Sequence, residues 1–184
     1  MGFRNWMGPV RTVERESAFA WLASQIGGVS VSQALDVGVG EGIGMRLAAR
    51  HWPGARVRGV EWLPDRVVEL RAKGYEIVRG SAEWLEFPDG IFDLVNCLHT
   101  LEHCEHPDWA LVEMWRVLKP GGRLFVVVPR EKVPTAKMHH LSCFPRERAV
   151  QTAAKEAKFE NIIVKTAVVQ RWISRELWLV ASKI

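Results

Sequence analysis

The sequence predicts an α/β protein with an open, doubly wound sheet, mostly parallel strands and helices on both faces. Three observations predict it. Short apolar runs alternate with amphipathic stretches five times between residues 31 and 129, and such alternation builds a parallel sheet because each strand returns through a helical crossover. Glycine or proline punctuates most of the junctions. The last two apolar runs stand only about six residues apart, too few for a crossover, so they are expected to form an antiparallel hairpin.

Taken in order, residues 9–26 read as a leading helix, because Ala18, Trp21, Leu22 and Ile26 recur on one face and Gly27 and Gly28 end it. VSQALDVG is the first strand, IGMRLAARHW a helix stopped by Pro53 and Gly54, and ARVRGVEW the second strand. PDRVVELRAKG carries proline in its first turn and Gly74 just past its end, as a helix does. YEIVRG is the third strand. FPDGIFDLVNCLH sets a turn at Pro88, Asp89 and Gly90 before a continuous apolar run suited to a strand buried on both faces. PDWALVEMWRVL is the next helix, Lys119 to Gly122 its stop, and RLFVVVP a central strand. PRERAVQTAAKEAK is helical, and NIIVKTAVV and ELWLVASKI make the closing hairpin.

The 184 residues suit one domain, 1–184, with 1–33 as its leading helical segment. A hydrophobic fraction of 48% and a charged fraction of 25% are those of an ordinary globular chain, and no stretch approaches the ~20 apolar residues that span a bilayer. No membrane insertion is expected. The first residues carry no export signal pattern, and three cysteines, Cys97, Cys104 and Cys143, are too few for a disulfide framework. A cytoplasmic location is the expectation. The net charge of +4 is spread along the chain without a basic tract or zinc-finger spacing, so nucleic acid is not the expected partner.

The run LDVGVGEGIG places Gly38, Gly40 and Gly42 in the first strand-to-helix turn. In an open α/β sheet this turn is the usual ligand contact, because ligands sit beyond the carboxyl ends of the strands where strand order reverses. Glycines there let a ligand lie against the main chain, and the helix that follows turns its N–H groups toward an anion. Glu61 ends the second strand, 23 residues after Gly38. A carboxylate so placed accepts hydrogen bonds from both hydroxyls of a ribose, and the two features together point to a ribose-bearing cofactor.

VEW, GSAEWLEFPDGIFDLVNCLHTLEH and LKPGGRLFVVVP follow in that order. With LDVGVGEGIG they resemble the class I S-adenosylmethionine-dependent methyltransferases, of the small type 11-like kind similar to quinone and other small-molecule methyltransferases. The resemblance covers residues 34–129 and, more loosely, the remainder. It implies a Rossmann-like sheet of seven strands ending in an antiparallel hairpin, S-adenosylmethionine as cofactor and S-adenosylhomocysteine as product. Asp36, Gly38, Gly40 and Gly42 would then line the methionine end, Glu61 would hold the ribose and Trp62 would offer adenine an apolar shelf. Ser81, Ala82 and Glu83 would form the adenine-side loop, and Leu98 and His99 would approach the methionine backbone and the transferring methyl group. One position departs from the pattern: Ser81 stands where an aspartate is more usual, although a serine hydroxyl also accepts a hydrogen bond. A nicotinamide-dependent oxidoreductase would share the glycine turn and the acidic strand end, but not the FDLV, LEH and LKPGG segments or the hairpin.

An activated methyl donor leaves the protein mainly to align an acceptor for in-line attack. A hydroxyl or carbon acid would also need a general base, for which histidine is suited. Five of the six histidines fall in two places, His99, His103 and His106 after the fourth strand and His139 and His140 after the fifth. His99 is the first catalytic candidate. His140 is the second, matching a histidine common before the family's last helix. Glu102 and His103 are expected to organise the loop before Pro107. Cys97, His99, His103, Cys104 and His106 are ligand types suited to zinc, yet they overlap an ordinary strand and loop, and no metal is expected. The expected reaction is methyl transfer to a small-molecule acceptor. The alternatives are an RNA or protein methyltransferase and a non-catalytic S-adenosylmethionine-binding module. With little chain available for a lid, the pocket would be open or completed by a second copy of the chain, a homo-oligomer.

Overall fold

One seven-stranded sheet runs through the protein in the order β3-β2-β1-β4-β5-β7-β6, in a computed structural model that describes residues 8–134, 139–169 and 174–184. The strands are β1 Gln33–Val37, β2 Arg56–Glu61, β3 Glu76–Arg79, β4 Phe92–Leu98, β5 Leu118–Pro129, β6 Glu160–Val169 and β7 Ser174–Ser182. Between them lie α1 Gly8–Gln25, α2 Ile43–His51, α3 Pro64–Ala72, α4 Pro107–Val117 and α5 Glu147–Glu156, with a 3-10 turn at Leu101–His103. β1 to β5 pair in parallel, and β7 runs antiparallel to both β5 and β6. The hairpin expected from the short spacing is present, and its residues 170–173 lie outside the described residues, as do residues 1–7 of the leading segment.

Period-two alternation divides the core between the two faces. Leu124, Val126 and Val128 of β5 pack with Leu111, Met114 and Val150 of α4 and α5, while Phe125 and Val127 pack with Phe19, Leu22 and Leu47 of α1 and α2. Burial on both faces explains why β4 and β5 read as continuous apolar runs. The inner face of α1 is Ala18, Phe19 and Leu22, with Ile26 just beyond its end. Trp21, expected on that face, is half-buried at its margin, with its ring 6.3 Å from Phe125 and 6.0 Å from Trp178.

The stop expected at Lys119 to Gly122 is instead the bulged start of β5. Leu118 pairs with Phe92, the register then shifts, and the Gly121 N–H donates to Lys183 O at 2.7 Å while Lys183 N–H donates to Gly122 O at 3.1 Å. Gly121 takes φ 79°, the left-handed conformation that a bulge of this kind demands. Among the described residues no helix is long and apolar enough to cross a membrane.

Strand order reverses at β1, whose neighbours are β2 and β4. The crevice beyond the carboxyl ends of these three strands is where such a sheet holds a ligand.

Candidate functional site

The turn after β1 holds Gly38, Gly40 and Gly42 at φ 76°, 56° and 78°, where a side chain costs about 1–2 kcal/mol. A Cβ on Gly38 would strike the side chain of Thr100, whereas one on Gly40 would meet nothing within 4 Å. Gly40 is therefore where bare main chain faces open space. Its N–H donates to Glu61 Oε2 at 2.9 Å, and the Leu63 N–H donates to Oε1 at 2.9 Å. These bonds fix the carboxylate at the mouth of the turn and leave each oxygen a further lone pair.

Beside Glu61, a groove of about 320 Å³ is lined by Trp62, Arg79, Gly80, Ser81, Trp84 and Glu86. Trp62 and Trp84 are 64% and 73% exposed, a costly arrangement for two indoles unless a flat partner covers them. Ser81 Oγ accepts the Glu83 N–H at 3.1 Å, and Glu83 Oε1 accepts the His106 N–H at 3.1 Å. Ser81 thus lies in the groove, Glu83 ties its loop to the start of α4, and Ala82 packs against the core. Arg79, Trp84 and Glu86 are absent from the sequence reading; an aromatic residue just past the third strand was the signal available for Trp84.

Two expected contacts are placed differently. Asp36 is 2% exposed behind the turn, and a Cβ on Gly44 would come within 2.6 Å of its Oδ2. The Asn96 amide donates to Asp36 Oδ1, while Asp36 Oδ2 and Asn96 Oδ1 have no hydrogen-bond partner. Burial pushes the Asp36 carboxyl up to about 7 against the pull of Arg15 and the nearby Met45 amide, and Glu61 adds to the rise. Asp36 supports the turn from behind instead of lining it. Leu98 packs its side chain among Leu94, Phe125 and Val127, so only its main chain reaches the strand end.

His99 follows β4 at φ 55°. Its Nδ1 lies 3.2 Å from Glu102 Oε1 and its Nε2 2.8 Å from Glu176 Oε1, and Trp178 Nε1 donates to Glu176 Oε2 at 2.9 Å. Burial would lower its pKa, but the two carboxylates outweigh it and raise the ring to about 9. An imidazolium donating from both nitrogens has no lone pair, so the base role expected of His99 does not fit this geometry. Glu176 could not be read from the sequence because its meeting with His99 spans 77 positions. Thr100, also missed, donates to Val37 O at 3.2 Å and fills the space beside Gly38.

His140 is 8% exposed, with Nδ1 2.7 Å from Glu131 Oε2 and its ring edge-on to His103 at 5.0 Å. The five zinc-type residues of the 97–106 segment do not converge: Cys97 lies in the core, His99 faces carboxylates, and the Cys104 thiol points to Thr100 O at 3.6 Å.

Residues 35–126, half of the chain, match the family described as a methyltransferase domain. Over 174 residues the chain is 28% identical to the malonyl-[acyl-carrier protein] O-methyltransferase of Herminiimonas arsenicoxydans, covering 88% of this chain and 64% of that protein. Over 64 residues it is 47% identical to the ubiquinone/menaquinone biosynthesis C-methyltransferase UbiE of Pseudomonas savastanoi pv. phaseolicola, covering 34% of this chain and 25% of that one. The chain thus spans less than two thirds of either relative. The solved structure of Haemonchus contortus phospholethanolamine N-methyltransferase 2, a complex with phosphomonomethylethanolamine and S-adenosylhomocysteine, superposes with a TM-score of 0.70 at 17% identity, covering 98% of this chain and 59% of that one. Sequence match, sheet order and glycine turn agree: the chain belongs to the class I S-adenosylmethionine-dependent methyltransferase family.

Proposed function

We propose that this chain moves the methyl group of S-adenosylmethionine to a small-molecule acceptor by in-line displacement. The observation that carries the reading is the open main chain at Gly40 joined to the Glu61 carboxylate by a 2.9 Å hydrogen bond. A nucleoside bound there would meet bare backbone on one side and a fixed acceptor for its ribose on the other.

The residues fit the cofactor. Glu61 has lone pairs for both ribose hydroxyls, and the Gly40 and Leu63 amides keep it from turning away. Trp62 and Trp84 border the groove for the adenine ring, with Ser81 between them as the hydroxyl of that loop. The turn of Gly38 to Gly42 and the main chain after Leu98 face the methionine part. When bound, the cofactor supplies a methyl group already activated on a sulfonium. The protein's share is alignment, which alone is worth roughly 7–11 kcal/mol of barrier when the attacking atom is held in line. His99, clamped by Glu102 and Glu176, acts as a positioning group at that edge.

Calorimetric titration with S-adenosylmethionine, S-adenosylhomocysteine and NAD tests the cofactor, and release of S-adenosylhomocysteine across a panel of small hydroxyl, amine and carbon acids tests the reaction. Both sulfur compounds should bind and NAD should not. Absence of heat with either sulfur compound overturns the cofactor assignment; turnover only with RNA or protein overturns the acceptor class.

A further inference from the structure

We infer that Glu102, His103 and His140 form a binding site for a divalent cation of the zinc kind. Each residue offers a ligand atom, and these atoms all lie within 4.8 Å of one another. Two histidines and one glutamate are a set that zinc accepts with an open position left over.

The strongest support is an orphaned atom. Glu102 is 1% exposed, and its Oε2 is buried with no hydrogen-bond partner, while Oε1 is engaged by His99 at 3.2 Å. A buried carboxylate oxygen without a partner is expensive, and a cation is one of the few things that repays it. The histidines supply the second line of support. His103 Nδ1 sits 3.1 Å from His139 O, and His140 Nδ1 sits 2.7 Å from Glu131 Oε2. Metal-binding histidines are commonly oriented in this way, one ring nitrogen donating to a carbonyl or carboxylate so that the other presents its lone pair. Among the described residues Nε2 makes no hydrogen bond on either ring, and it is the atom offered to the cation. His103 is exposed and gives access from solvent, whereas Glu102 and His140 are buried.

Tetrahedral zinc with bonds of ~2.0–2.1 Å keeps its ligands roughly 3.4 Å apart. Loading would therefore draw the widest pair together by no more than about 1.4 Å, a movement open to the solvent-facing His103 ring. Thr100, two residues before Glu102, borders Gly38, which puts the trio's loop beside the glycine turn; an open position on the cation would take a water or another oxygen ligand. The site stands independently of the methyl-transfer reading.

The test is calorimetric titration of the full chain, stripped with a chelator, with Zn²⁺, followed by Co²⁺ and its visible absorption spectrum. One Zn²⁺ per chain is expected, and His103→Ala and His140→Ala should each weaken it at least tenfold while circular dichroism shows the fold retained. His106→Ala, whose ring stacks on Trp109 outside the trio, should leave affinity unchanged. Binding only near millimolar Zn²⁺, wild-type affinity in folded His103→Ala, or equal loss in His106→Ala would overturn the site and leave the His103–His140 contact as ring packing.

Discussion

Gly38 and Gly40 answer two different demands with one residue type. Gly38→Ala meets both a left-handed backbone and the Thr100 side chain, and should lose roughly 2–5 kcal/mol in urea denaturation. Gly40→Ala meets only the backbone strain, roughly 1–2 kcal/mol, yet its methyl group enters the open space proposed for the nucleoside. It should stay folded and bind S-adenosylmethionine at least tenfold more weakly by calorimetry; wild-type affinity would remove the turn from the cofactor site. Asp36 makes a separate demand, through pH. Its folded pKa of about 7 lies above its ordinary 3.8, so the folded protein holds this proton more tightly than the unfolded chain. The contribution is full below about pH 4 and declines by roughly 4 kcal/mol as pH rises through 7. Asp36→Asn removes the ionisation and brings a donor to the unpartnered Asn96 Oδ1. The urea midpoint of this variant should gain on wild type at pH 8 and match it at pH 4. A parallel pair of pH profiles would show that Asp36 carries no such burden.

Among the elements, the loop bearing Trp84 owes its place to α4. Arg116 donates from Nη1 to Phe87 O at 2.8 Å and Asp89 Oδ1 at 2.6 Å, and from Nη2 to Leu85 O at 2.7 Å and Glu113 Oε2 at 2.8 Å. Glu113 Oε2 in turn accepts the Leu85 N–H at 2.8 Å. A planar fork serves these acceptors together and an ammonium cannot. Arg116→Lys should therefore cost about 1–3 kcal/mol and loosen adenine binding at the groove, read as a lower melting temperature together with weaker S-adenosylmethionine binding. Unchanged cofactor affinity in the destabilised variant would separate the clamp from the groove. The turn itself was legible, because Pro88, Asp89 and Gly90 have a local reason to bend. Its clamp was not, since Arg116 lies 27 positions beyond Asp89 and nothing local distinguishes it from other helical arginines. The same limit hid Glu176 behind His99. The LEH segment does hold its loop, since Glu102 O accepts the Leu141 and Ser142 N–H groups at 2.7 and 3.1 Å, but the same limit hid the meeting of His103 with His140 across 37 positions.

Over the whole molecule, strand alternation and the closing hairpin were readable because each rests on a local period or a short gap; the carboxylates that tie distant strands together were not. Asp93 is the clearest of these. Its Oδ2 accepts the Ser32 N–H at 2.9 Å, the Ser32 hydroxyl at 2.7 Å and the Gln33 N–H at 2.8 Å, while Oδ1 accepts Lys119 Nζ at 2.6 Å. One side chain of β4 thereby joins the entry of β1 to the start of β5. Burial alone would raise its pKa, but Lys119 and the Ser32 and Gln33 donors prevail and hold it at about 2, below the ordinary 3.8. The sign is opposite to that of Asp36: this stabilisation is complete above about pH 4 and is lost as pH falls toward 2, a matter of about 2 kcal/mol. Asp93→Asn keeps an acceptor for Ser32 but sets an amide N–H₂ against the Lys119 ammonium. Wild type and variant should differ by roughly that amount at pH 7 and converge only as pH falls to about 2 in urea unfolding followed by circular dichroism. Asp36 and Asp93 share no hydrogen-bond partner, so the double variant should show both changes added, each in its own pH window. A constant gap between wild type and Asp93→Asn at every pH would mean that shape, not charge, joins these strands.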